Sequence, residues 1–437
     1  MKKLERKFEE YVALGEEIDP EKWIISYYYI EGAKGFSPLN VAAAIAAEES
    51  TGTWTVVTTE TREILEAYGG KVIDLDGNHA KVAFPLEIFE PGNIPQLLSV
   101  VAGNLFGLKG VKNAKLLDIR LPEKYVRRFK GPKFGIKGVR KIVGTSKDRR
   151  PHIGTIVKPK LGLSPKRTAE VGYEAAVGGV DFIKDDETLT STAFCPIEKR
   201  LTSMMRALEK VKRETGRTIL YSVNVTHDPS EMVERAERMI ELGANMIMMD
   251  VVCCGFSALK ELAESKSITV PIHVHRAMHA AFTRNPKHGI SMNVVAKLVR
   301  LAGGDQLHIG TVVGKMHGER PEVVATKNVC QMRRTGEVKH RILEQEWYGL
   351  KPVFAVHSGG LHPGLVPELI ETVGSQDIVI NFGGGIHGHP SGTRAGAAAA
   401  RQAVDAFMKN IPLEEYAKTH PELQKALQRW GTFRPRA

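Results

Sequence analysis

From residue 152 onward, eight short apolar runs recur, each followed by a stretch with helical periodicity. They are HIGTIVKP (152–159), VDFIKDD (180–186), TILYSVNVT (218–226), ANMIMMDVV (244–252), PIHVHRA (271–277), DQLHIGT (305–311), KPVFAVHSGG (351–360) and IVINFGGG (378–385). Runs this continuous predict strands buried on both faces, the pattern of a parallel sheet covered by its own crossover helices. The intervening segments are amphipathic, as in IEKRLTSMMRALEKVKRETG (197–216), and many close at a Gly just before the next run. Eight βα units are the number that closes a (β/α)8 TIM barrel. An open doubly wound sheet is the alternative, but it gives no reason to stop at eight.

Residues 1 to about 135 carry a different pattern. IISYYYIEG (24–32), TWTVVTTET (53–61), KVIDLDG (71–77) and HAKVAFPLEIF (79–89) predict strands of a mixed sheet, while VAAAIAAEES (41–50) and NIPQLLSVVAGNLFG (93–107) predict helices. The expected fold class is therefore α/β: a C-terminal (β/α)8 TIM barrel (136–437) preceded by an α+β N-terminal domain (1–135). The basic stretch KYVRRFKGPKFGIKGVRK (124–141) would hold the boundary. A chain of 437 residues exceeds what one hydrophobic core usually supports, in keeping with two domains.

Composition narrows the class of function. With 42% hydrophobic and 25% charged residues the chain is neither disordered nor fibrous. A net charge of +11 leaves nucleic acid, an anionic membrane and an acidic small substrate as candidate partners. The dense basic stretch sits at a domain junction instead of on a face interleaved with aromatics, so no nucleic-acid partner is expected. No apolar run approaches the roughly 18–20 residues of a membrane span. The first fifteen residues read as an amphipathic helix without the apolar core of a signal peptide. Four cysteines form neither a disulfide framework nor a CxxC pair, and the expected location is the reducing cytoplasm.

In such barrels the chemistry lies at the C-terminal ends of the strands. The first run ends in Lys158-Pro159-Lys160 and the second in Lys184-Asp185-Asp186-Glu187; the fifth carries His273, His275 and Arg276, and the sixth His308. Lys315 stands in the Gly-flanked loop GTVVGKMHGER, a pattern suited to a lid residue that closes over substrate. The seventh run ends in Ser358-Gly359-Gly360 and the eighth in Gly383-Gly384-Gly385. Strand pleat points Lys184 and Asp186 one way and Asp185 the other. Two carboxylates suit Mg²⁺, whereas an ammonium beside them would repel it unless the amine is consumed by a modification that makes it anionic. The glycine clusters suit phosphate through backbone N–H groups, and Arg276 with His308 suits a second anion. Two such sites about a barrel's width apart point to a bisphosphorylated sugar. Taken singly, a KDDE run is a solvated face and an HxH pair a core feature. Their joint placement, one group per strand end, favours a site. His279, His357 and His387 are left as structural, Cys253-Cys254 as buried apolar residues, and Asp250 as a strand end without visible support.

The segments AAEESTGTW (46–54), GNLFG (103–107), KPKLGLS (158–164), GGVDFIKDDE (178–187), HVHRAMHA (273–280), GTVVGKMHGER (310–320), SGG (358–360) and FGGG (382–385), in this order, resemble the large subunit of ribulose-1,5-bisphosphate carboxylase/oxygenase, RuBisCO. The wording of MHAAFTRNPKHGISM and DQLHIGT is most similar to the archaeal, form III type. The resemblance implies Mg²⁺-dependent carboxylation of ribulose 1,5-bisphosphate to 3-phosphoglycerate through an enediol, with O₂ as a competing substrate. Lys184 would carry CO₂ as a carbamate and hold Mg²⁺ with Asp186 and Glu187. Lys158, His275, Lys184 and Lys315 would be catalytic. Lys160, Arg276, His308, Ser358, Gly359, Gly360, Asn381, Gly383 and Gly384 would bind substrate, joined by Glu48, Thr53, Trp54 and Asn104 reaching in from a neighbouring subunit. A homodimer or a ring of dimers follows, without a small subunit, and form III similarity suggests salvage of nucleotide ribose. The alternative is a RuBisCO-like protein that enolises or isomerises a related sugar phosphate without fixing CO₂. Ile156, Asn381, Met316, His317 and Glu49 depart from the family's commonest residues, and none removes a charge that the chemistry needs.

Overall fold

The computed structural model describes residues 6–53, 55, 57–313 and 320–432. The chain divides into two compact units. The first comprises Met1–Lys130, Met278–Leu301 and Met332–Leu350; the second comprises Gly131–Ala277, Ala302–Gln331 and Lys351–Ala437.

In the second unit eight parallel strands close a barrel. They are β1 (His152–Ile156), β2 (Phe182–Lys184), β3 (Leu220–Asn224), β4 (Met246–Asp250), β5 (Ile272–His275), β6 (Gln306–His308), β7 (Phe354–Ser358) and β8 (Ile378–Phe382). Each lies inside one of the eight apolar runs, and β8 pairs back onto β1 with Asn381 opposite Gly154. The connecting helices end as the glycines suggested. Gly216 (φ 72°) stops Ile197–Thr215 ahead of β3, and Gly374 (φ 64°) stops Val366–Val373 ahead of β8, in a left-handed conformation that costs glycine least.

One end of the barrel is closed by a helix, Gly135–Val143. Its Ile136 and Val139 pack against Phe182, Leu220, Met246, Phe354, Val356 and Val379, of which all but Val356, at the centre of β7, lie in the first halves of their strands. Each such side chain contributes on the order of 1.5–3 kcal/mol on burial, so the apolar core settles at the N-terminal end and leaves the C-terminal mouth to polar groups. Asp305 ties this plug to the barrel: Oδ1 accepts from the N–H groups of Phe134 (2.8 Å) and Gly135 (2.7 Å), and Oδ2 from Ile272 N–H (2.9 Å).

The first unit is built on a five-stranded sheet in the order Gly289–Ile290, Val111–Arg120, Trp23–Gly32, His79–Pro85, Lys71–Asp76. Helix Pro38–Glu48 buries Val41, Ala42, Ala43, Ile45, Ala46 and Ala47, and opens with a capping box between Ser37 and Asn40. One expectation needs correction here, and one strand went unforeseen. The stretch 53–61 contains no strand among its described residues; Thr58 and Thr59 lie in a turn and Thr61 caps helix Arg62–Tyr68. Its β-branched residues favour strands only where one face is buried, and Thr58, Thr59 and Thr61 are all at the surface. Conversely, Val111–Arg120 is a sheet strand that the polar residues Lys112, Asn113, Lys115 and Asp118 concealed. Lys115 donates to the Thr283 carbonyl, and Asp118 receives Lys297 Nζ (2.8 Å) and Leu343 N–H (2.7 Å), all from distant segments of the same unit. Finally, helix is present in the first fifteen residues over Arg6–Glu9, within the described part. Among the described residues no helix is long and apolar enough to cross a membrane.

Candidate active site at the barrel mouth

The end of β2 sets the centre of the site. Lys184, its last residue, is fully buried, with Nζ 3.4 Å from Glu187 Oε2. Asp186 is buried and accepts from Lys158 Nζ at 2.9 Å, from Thr188 Oγ1 at 2.9 Å and from Thr188 N–H at 3.2 Å. Asp185 points the other way, as the pleat requires, and is held by Arg200 (Nη2 2.9 Å), the Tyr221 hydroxyl and Asn224 N–H (2.9 Å). Asn224 in turn donates to the carbonyls of Asp186 (3.3 Å) and Glu187 (3.2 Å). The turn that carries the two carboxylates is thus fastened from outside the mouth, by residues whose roles were not visible in sequence.

The electrostatics of this group are unusual. Burial holds the Lys184 ammonium below its ordinary pKa, against the pull of Glu187 and Asp186. Burial also works to raise both carboxyls. The bond from Lys158 outweighs it at Asp186, and Lys184 with His275 outweighs it at Glu187, so both lie below their ordinary values. Among the described residues no group of three His, Cys, Asp or Glu side chains is placed to hold a metal ion. A metal held here by Asp186 and Glu187 therefore needs a further oxygen ligand, and the buried amine of Lys184 is the group in place to carry one.

Around this centre stand the other strand ends. His275 Nδ1 is 2.9 Å from Asp250 Oδ1, at the end of β4, and its Nε2 is 3.6 Å from Glu187 Oε2. Asp250 thus has the support that the sequence did not reveal, because its partner comes from the neighbouring strand. Arg276 sits against Gly310: a Cβ there would lie 2.7 Å from Nη2, and φ is +89°, so the position requires glycine. Burial lowers the Arg276 pKa to about 10. His308 Nδ1 is 2.8 Å from Ser358 Oγ. Gly359 (φ 111°) and Gly360 (φ 78°) follow β7; Gly383 and Gly384 follow β8, with Lys158 Cε 3.5 Å from where a Gly383 Cβ would sit. Lys160 is exposed. Asn381 is buried within the barrel, and among the described residues neither of its amide atoms has a hydrogen-bond partner. Lys315 lies outside the described residues, as does Trp54.

His357 and His387 are structural. His357 Nδ1 bonds the Gly310 carbonyl (2.9 Å) and His387 Nε2 the Ile156 carbonyl (2.8 Å), and burial lowers both pKa values to about 4. His279 bonds Thr283 Oγ1 at 2.8 Å in the first unit. Cys253 and Cys254 are not buried: they lie on the one-turn helix Val251–Cys254, where the chain leaves the barrel wall, with Cys253 exposed and Cys254 half-buried.

In the first unit Glu48 Oε1 meets Asn104 Nδ2 at 3.4 Å, and Thr53 is half-buried nearby in sequence. Glu49 is buried beside them, and its Oε1 accepts from Leu105 N–H at 2.7 Å, holding the Asn104 turn. Burial, opposed by that bond and reinforced by Glu48, raises the Glu49 pKa from 4.5 to about 7. A carboxyl so shifted stays protonated in the folded chain while the unfolded chain ionises. Stability is therefore greatest below pH about 4.5 and falls as pH rises to about 7, by about 3 kcal/mol in all. Glu49→Gln should recover up to that amount in denaturant unfolding at pH 8 and change little at pH 4.

A closed (β/α)8 barrel that gathers its polar side chains at the C-terminal mouth has the architecture of a TIM-barrel enzyme. Residues 135–430 match the catalytic domain of the ribulose bisphosphate carboxylase large chain, and residues 11–125 match its N-terminal domain. The chain belongs to the RuBisCO large-chain family. It is 45% identical to a ribulose bisphosphate carboxylase from Methanosarcina barkeri, over 93% of this chain and 96% of that protein. A dimeric archaeal Rubisco from Hyperthermus butylicus superposes with a TM-score of 0.89 at 41% identity, covering 97% of this chain and 99% of that one. An octameric Rubisco from Pyrococcus horikoshii gives 0.88 at 43% identity, covering 97% of each.

Proposed function

We propose that this chain carboxylates ribulose 1,5-bisphosphate to 3-phosphoglycerate, with oxygenation as a side reaction. The observation that carries the reading is the fully buried Lys184 amine beside Glu187 and Asp186, where no group of three His, Cys, Asp or Glu side chains among the described residues is placed to hold a metal ion. Lys184 as its carbamate, Asp186 and Glu187 would hold Mg²⁺, which when bound stabilises negative charge developing on the substrate oxygens. As its carbamate, Lys184 would supply the base for the C3 proton, giving the enediol. Lys315 stands in the loop that would close over CO₂ as it adds at C2. His275, its Nδ1 engaged by Asp250, presents Nε2 as the base for hydration of the new ketone. Lys158 delivers the proton that the C2 carbanion needs after C–C cleavage, drawing on the position that Asp186 gives its ammonium. Arg276 holds one phosphate, and His308, its ring nitrogens engaged by His273 and Ser358, lies behind that site without donating to the ligand. The amides of Gly359, Gly360, Gly383 and Gly384 hold the other, while Ser358 and Asn381 face the sugar hydroxyls and Lys160 adds positive charge.

Residues 1–135 would form the N-terminal domain whose Glu48, Thr53, Trp54 and Asn104 complete a neighbour's site, and 136–437 the catalytic barrel. That arrangement makes a homodimer the smallest active unit, and the dimeric and octameric relatives support a dimer or ring of dimers. The chain would work in the cytoplasm without a small subunit, in salvage of nucleotide ribose.

Exchange of the C3 proton, followed with and without bicarbonate, tests the reading. Exchange in tritiated water together with two molecules of 3-phosphoglycerate per sugar supports carboxylation; exchange that never yields the acid identifies the non-fixing, enolising alternative. Gly310→Ala should raise KM for the bisphosphate roughly tenfold by displacing the Arg276 guanidinium, because small misplacements of binding groups cost steeply. A KM within twofold of the parent would separate Arg276 from substrate binding.

A further inference from the structure

Beneath the mouth lies a chain of polar contacts that begins at Gln306 and His273, two residues the mechanism above does not use. Gln306 Oε1 is 2.8 Å from His273 Nδ1, His273 Nε2 is 2.9 Å from His308 Nε2, and His308 Nδ1 is 2.8 Å from Ser358 Oγ. Gln306 and His273 are completely buried and His308 nearly so; Ser358 alone is part-exposed. Among the described residues Gln306 Nε2 has no hydrogen-bond partner, and the bond to His273 is the polar engagement of that amide.

Two ring nitrogens 2.9 Å apart share one hydrogen: one carries it and the other accepts. A neutral imidazole has a single N–H, so the sense of the first bond decides all the others. Burial holds both His273 and His308 well below their ordinary pKa, which keeps them neutral. When the Gln306 oxygen accepts from His273 Nδ1–H, His273 Nε2 must accept from His308 Nε2–H. His308 Nδ1 is then a bare lone pair, and the Ser358 hydroxyl donates to it. Ser358 is left with only lone pairs to offer a ligand. Reversing the amide would reverse every bond and free the Ser358 hydrogen to donate outward.

We propose that Gln306 is a positioning residue that sets the tautomers of His273 and His308 and thereby makes Ser358 a hydrogen-bond acceptor, matched to a sugar hydroxyl and not to a phosphate oxygen. For the identity of the sugar this rests on the function proposed above; the tautomers do not depend on it.

The test is ¹⁵N–¹H correlation on the full-length assembled protein labelled at histidine. His273 should carry its hydrogen on Nδ1 and His308 on Nε2; the opposite pair in the parent protein overturns the proposal. Gln306→Met keeps the volume and removes the amide. It should give mixed tautomers at His308 and raise KM for ribulose 1,5-bisphosphate about fivefold, the worth of one neutral hydrogen bond, with kcat within twofold. An unchanged His308 tautomer in that variant, or a loss of kcat alone, overturns it. Ser358→Ala cuts the other end and should leave the His308 tautomer as in the parent. Scrambling there would assign control to Ser358 and also overturn the proposal. Were the protein to fix no CO₂, the kinetic comparison would fail with the functional reading, and the tautomers would still decide.

Discussion

Lys184→Ala should lower carboxylation by at least ~10³-fold, about 4 kcal/mol of transition-state stabilisation, in line with what a catalytic metal ion supplies. Lys184 is fully buried at the end of β2, with Glu187 Oε2 at 3.4 Å and Asp186 turned toward Lys158. Removing the amine leaves the two carboxylates without the buried group that would take up CO₂ to become a third oxygen ligand. The fold should survive, because Glu187 is part-exposed and can be hydrated once its partner is gone. A loss of stability below about 2 kcal/mol is expected, less than for a pair buried on both sides. Lys184→Met, which keeps the volume, should be equally inactive. Activity within tenfold of the parent in either variant would remove the carbamate from the account.

Asp250→Asn should lower kcat about 10²-fold, with little change in KM, a magnitude typical of a disabled general base. Asp250 is almost completely buried, its N–H held by Thr226 Oγ1 at 3.0 Å, and Oδ1 lies 2.9 Å from His275 Nδ1. The Ala277 N–H also approaches Nδ1, at 3.1 Å. Both cannot bond the same nitrogen in one tautomer, and the shorter, charge-assisted contact to the carboxylate is the stronger. Nδ1 therefore carries the hydrogen and Nε2 is free to act as a base. An Asn amide can turn its NH₂ toward Nδ1, moving the hydrogen to Nε2 and closing that route, the logic by which a buried aspartate orients a catalytic histidine. Steady-state kinetics of Asp250→Asn beside Asp250→Glu would check this. Equal kcat in the Asn variant and the parent would leave His275 without a need for its partner.

Much of this was legible in the chain itself, for physical reasons. The barrel strands are buried on both faces and so read as continuous apolar runs, and a charged residue at the end of such a run stands out. That is why Lys184, Asp186 and Glu187 could be grouped, and why strand pleat alone sent Asp185 away from them, toward Arg200. What stayed hidden depends on pairings between strands far apart in sequence. Asp250 acquires its meaning from His275, Gln306 from His273, and Asn224 from the carbonyls of Asp186 and Glu187. The strand Val111–Arg120 looked too polar for a sheet because the partners of Lys115 and Asp118 lie more than a hundred residues away. The stretch 53–61 misled in the opposite sense, its described β-branched residues being exposed or half-buried.

The central claim, fixation of CO₂ at the mouth built on Lys184, is tested most directly by label transfer. Purified protein is incubated with Mg²⁺, ribulose 1,5-bisphosphate and ¹⁴C-bicarbonate without oxygen, and the acid-stable product is analysed. The account predicts label in the carboxyl group of 3-phosphoglycerate, one labelled molecule for each unlabelled one, and none with Lys184→Ala. Consumption of the sugar without labelled 3-phosphoglycerate would contradict it.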